Sequence, residues 1–61
     1  MTKKDKELLL FYLKDKSNSA LTLEITYKES REINKSEFFK GEKQAFNEMY
    51  SFISNININE S

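Results

Sequence analysis

The chain has 61 residues, ten basic against ten acidic, and contains no His, Cys or Trp. Without imidazole or thiol it lacks the common proton carrier near neutral pH, the thiolate nucleophile, and the residues that build disulfides and most structural zinc sites. Zero net charge, a pI near 6.2 and a single Arg, Arg31, argue against the phosphate-neutralising surface of a nucleic-acid binder.

Hydrophobic residues make up 38% of the chain, with five Phe and three Tyr, enough to fill one small core. A chain this short forms one domain and is marginal alone, so dense packing or a partner subunit has to supply the remaining stability. The excess of Lys, Asn, Ile, Glu and Phe and the absence of Pro match an AT-rich coding sequence. A low-GC bacterium, its phage or a mobile element has that composition.

In chain order, residues 2–16 read as a helix with Thr2 as N-cap and Asp5 three residues on, a weaker capping box. Leu9, Tyr12 and Leu13 form one face, Leu8 and Phe11 widen it, and Leu10 falls on the far side. Lys14 and Lys16 suit the C-terminal dipole end, whereas Lys3, Lys4 and Lys6 oppose the N-terminal one and read as a mobile, solubilising segment. Ser17-Asn18-Ser19 reads as the turn that ends this helix.

Residues 20–28 read as a strand. Leu21, Leu23, Ile25 and Tyr27 alternate with Thr22, Glu24, Thr26 and Lys28. Glu29-Ser30-Arg31 turns the chain, and residues 32–39 return as the pairing strand, with poor alternation. Lys40-Gly41 is then a second turn, a helix covers residues 42–55, and residues 56–61 form a tail. The expected fold is α+β, a small αββα domain with both helices on one face of a two-stranded antiparallel hairpin. A competing reading starts a long helix near Asn34, where Glu37 completes a capping-box spacing. It makes the domain α-β-α, with residues 20–28 paired across a homodimer.

The candidate chemistry is sparse. The Glu residues alternate with Lys as solvated faces do, and no calcium-loop pattern occurs, so no catalytic, cofactor-binding or metal-ligating residue is assigned. Phe39, Phe46, Met49, Phe52 and Ile53 read as core rather than as a ligand pocket. Lys35, Lys40 and Lys43, with Arg31, resemble a basic surface interleaved with aromatics, but Glu37 and Glu42 cancel the local field.

The over-wide first helix is the better lead. Leu10 and Phe11 cannot both hide with Leu9 and Leu13, and Tyr12, Tyr27 and Tyr50 are of the amphipathic type enriched at interfaces. These five are the candidate interface. The expected partner is another protein, a second copy, or both, with homodimerisation favoured. No small-molecule substrate or membrane is expected: the run from Leu8 to Leu13 is too short for either a signal segment or a span. A cytoplasmic, non-catalytic protein-interaction module (a regulator, adaptor or inhibitor of a larger protein) fits best, and a dimeric nucleic-acid-binding regulator is the alternative.

Overall fold

The computed structural model describes residues 1–57 and consists there of two helices, α1 (Lys3–Glu29) and α2 (Ile33–Ser54). They run antiparallel as a hairpin whose Cα extents are 52 × 14 × 10 Å.

Thr2 caps α1 as its position predicts. Its hydroxyl accepts from the Asp5 amide at 3.1 Å, and its own amide donates to the Asp5 carboxylate at 3.2 Å. The helix does not stop at Ser17-Asn18-Ser19. Half-buried or buried positions recur along it at Lys6, Leu10, Leu13, Ser17, Ala20, Glu24 and Tyr27, in unbroken steps of four and three. In α2 the same spacing runs through Ser36, Phe39, Lys43, Phe46, Tyr50 and Ile53. A 3–4 repeat on both helices is the seam of an antiparallel coiled coil, with axes crossing at roughly 20°.

The α+β expectation is therefore corrected: the described residues contain no strand. Residues 20–28 complete α1, and residues 32–39 cap and begin α2, so neither the αββα hairpin nor the α-β-α arrangement with an intersubunit strand forms. The physical reason lies in residues 17–27. Ser17, Ala20, Glu24 and Tyr27 take the seam, while Leu21, Leu23 and Ile25, which make the strand-like alternation, lie exposed on its flanks. Thr22 and Thr26 donate their hydroxyls to the carbonyls of Asn18 and Thr22, one turn back, so these β-branched residues are satisfied inside a helix. Tertiary pairing outweighs their low propensity.

Two further expectations shift. Gly41 is an interior residue of α2 and not a turn. Leu10 lies in the seam and not on the far side. The long-helix alternative placed the start of α2 close to where it lies, but the N-cap is Glu32, with no side-chain cap, instead of Asn34.

The chain does turn at Glu29-Ser30-Arg31, between two helices. Glu32 N–H bonds the Tyr27 carbonyl at 2.8 Å and Arg31 N–H the Lys28 carbonyl at 3.1 Å, the paired bonds of a Schellman motif. Arg31 carries the left-handed conformation, φ 62°, that this motif requires.

Candidate interaction surface

The seam itself is poor in apolar burial. Leu13 and Ala20 are the only buried hydrophobic residues among those described, and Ser17 and Ser36 are buried beside them. Polar bonds across the seam take up the difference. Ser17 donates to Asn47, Ser36 donates to the Glu24 carbonyl at 3.0 Å, and Lys43 donates to the Glu24 carboxylate at 2.8 Å. At the open end Lys6 donates to the carbonyls of Ser54 and Ile56, at 3.0 and 2.9 Å. It neutralises the negative end of the α2 dipole rather than forming a free basic arm. At the closed end Tyr27 stacks on Phe39 with centroids 5.6 Å apart, and Phe38 meets Phe39 edge-on at 5.1 Å.

Turning each helix by roughly 100° per residue sorts the remaining side chains. On one side of the hairpin α1 presents Leu9, Tyr12 and Leu23, and α2 presents Phe38, Ala45, Met49 and Phe52. Leu9 and Leu13 line one open groove of about 330 Å³ with Glu48, Met49, Phe52 and Ile53, which shows that the two flanks share a face. Phe52 is 70% exposed, Phe38 64% and Tyr12 53%. The opposite side of α2 is polar, with Lys40, Gln44, Asn47 and Ser51. There α1 carries a narrower ridge of Phe11, Leu21 and Ile25, of which Phe11 is 76% exposed.

The five candidate interface residues therefore do not gather in one place. Tyr12 lies on the broad apolar face, and Phe11 lies on the outer ridge of α1. Leu10, Tyr27 and Tyr50 are half-buried in the hairpin's own seam. The four cationic candidates do not form a patch either. Lys43 pairs with Glu24, and Lys35 pairs with Glu32 at 3.1 Å while sitting 5.3 Å from the Tyr27 ring centroid. The Glu32 bond and charge hold the Lys35 ammonium above its ordinary pKa, with a smaller contribution from Tyr27. Lys40 is exposed on α2, and Arg31 is in the turn.

Leu23, Phe38, Met49 and Phe52 lie outside the interface expected from the sequence, and Met49 and Phe52, expected in the core, are exposed. The signal that finds them is the 3–4 seam, because once it is drawn they fall on its flank.

Among the described residues no group of three or more His, Cys, Asp or Glu could hold a metal ion, and no helix is long and apolar enough to cross a membrane. Comparison with protein families, with curated proteins and with solved structures finds no match.

Proposed function

We propose that the protein is a non-catalytic interaction module whose working surface is the broad apolar face shared by α1 and α2. The observation that carries this reading is the imbalance of burial. Among the described residues two apolar side chains, Leu13 and Ala20, are buried and the other apolar seam residues are half-buried, while Phe38, Phe52, Tyr12, Met49 and Leu23 are exposed on one side. These residues form two apolar clusters on that side, Leu23 with Phe38 and Tyr12 with Met49 and Phe52, parted by Lys16, Ser19 and Glu42, and exposed apolar clusters of this kind mark protein docking. The polar opposite side of α2 keeps the covered hairpin in solution. A cytoplasmic setting and a regulator, adaptor or inhibitor role complete the reading. No observation favours the nucleic-acid alternative, since two of its four candidate cations are engaged by carboxylates of the same chain.

The test is photocrosslinking in the producing cell with Phe52 replaced by a benzoylphenylalanine. A discrete adduct with a polypeptide supports a docking face. Intact, helical protein that yields no adduct on irradiation would refute it.

A further inference from the structure

We propose that the occupant of the apolar face is a second copy of this chain, the two hairpins closing face to face on a twofold axis into a four-helix bundle. The proposal rests on the docking reading above and names its partner.

Three features point to self-association. The first is shape. A 3–4 repeat on both helices keeps their axes nearly parallel, so the flank residues, Leu9 to Leu23 on α1 and Phe38 to Phe52 on α2, form a face about 21 Å long. Four-helix bundles are built by closing two such pairs. The second is area. The exposed ring surface of Phe38, Phe52 and Tyr12 amounts to roughly 300–450 Å². Met49 and Leu23 extend the face, and Lys16 (its ammonium 5.4 Å from the Tyr12 ring centroid), Lys35 and Glu42 on the same flank give it a charged part with both signs, toward the ~800 Å² per partner of a standard interface. The third is charge. With ten basic and ten acidic residues the chain has no net repulsion from its own copy.

A twofold arrangement would put Phe52 and Met49 of each chain against the other and leave Phe11 outside. The surface then wet is the polar side of each α2 with the α1 ridge, which leaves that ridge free.

The test uses the native chain. Light scattering on a concentration series should give twice the 7.2 kDa of one chain, with a helical circular dichroism spectrum. In a mixture of labelled and unlabelled chains, isotope-filtered NMR should give intermolecular contacts from Phe52 and Met49 and none from Phe11. Phe52→Glu should weaken the dimer at least tenfold, and Phe11→Glu should leave it unchanged. The filtered NMR decides the matter should Phe52→Glu fail to fold. A helical particle of 7.2 kDa at hundreds of micromolar, an unstructured chain, an oligomer other than a dimer, or intermolecular contacts centred on Phe11 would each overturn the proposal. If the chain proves monomeric yet Phe52 crosslinks to a different protein in the cell, the second copy fails while the docking face stands.

Discussion

Lys43 reaches across the seam from α2 and donates to the carboxylate of Glu24 on α1 at 2.8 Å, with the two side chains 24% and 18% exposed. Glu24 also lends its backbone carbonyl to the Ser36 hydroxyl, so one residue anchors α2 at two points a turn or more apart. This polar layer, with Ser17 and Asn47, sets the register along the middle of the seam, where Ser17, Ala20 and Glu24 offer little apolar surface to do so.

Lys43→Met removes the ammonium and leaves the Glu24 carboxylate half-buried. The expected loss is about 1 kcal/mol, since the pair is screened by its partial exposure. A double-mutant cycle with Glu24→Gln in urea, at one fixed protein concentration, should return a favourable coupling. A coupling indistinguishable from zero would show that the pair does not hold the register.

Arg31 pays a backbone cost that glycine would avoid, because φ 62° brings its Cβ against the following carbonyl. Arg31→Gly should therefore raise stability by about 0.5–1 kcal/mol, the strain relief exceeding the added freedom of the unfolded chain. A destabilised Arg31→Gly variant, measured by urea unfolding, would mean that the left-handed turn conformation is not the one populated.

Gly41 stands on the exposed side of α2, and a Cβ built there meets nothing within 4 Å. Gly41→Ala should gain about 1 kcal/mol from helix propensity alone. The readout is a higher urea midpoint with an unchanged slope. No gain would place residue 41 outside a regular helix.

The Asp5 carboxyl is held below its usual pKa, first by the Thr2 backbone N–H and then by the Thr2 side chain. A carboxylate with a lowered folded-state pKa stabilises the fold above its unfolded pKa, and that contribution is lost as pH falls through the lower folded value. The start of α1 should thus stay capped at neutral pH and loosen as pH falls through that lowered value. NMR titration should find Asp5 below the ordinary carboxylate range and returned toward it in Thr2→Ala. An ordinary Asp5 pKa in the native chain would contradict the capping box.

The helical period from Phe46 to Ile53 was readable because apolar residues occupy that part of the seam themselves, Phe46, Tyr50 and Ile53, whereas Phe39, in the same seam, was read into a strand because Lys40-Gly41 after it resembles a turn. The turn at Glu29-Ser30-Arg31 and the Thr2 cap were readable for local reasons, since both depend on a few neighbouring residues. The second half of α1 was not. Its seam positions hold Ser17, Ala20 and Glu24, which carry no hydrophobic signal, while Leu21, Leu23 and Ile25 on the flanks imitate a strand. Ser17-Asn18-Ser19 resembles a turn until Ser17 is seen to find Asn47 on the other helix. That partner lies 30 residues away, beyond any local pattern. The apolar face was hidden for the same reason, because a flank can be recognised only after the seam it borders.

Thermal unfolding of the native chain over a hundredfold range of concentration decides whether the hairpin is completed by covering its apolar face. If two copies provide the cover, the helical signal should melt at a temperature that climbs steadily with concentration. A midpoint that stays fixed across the range, with full helicity at the lowest concentration, would mean that one chain folds unaided and would contradict the claim.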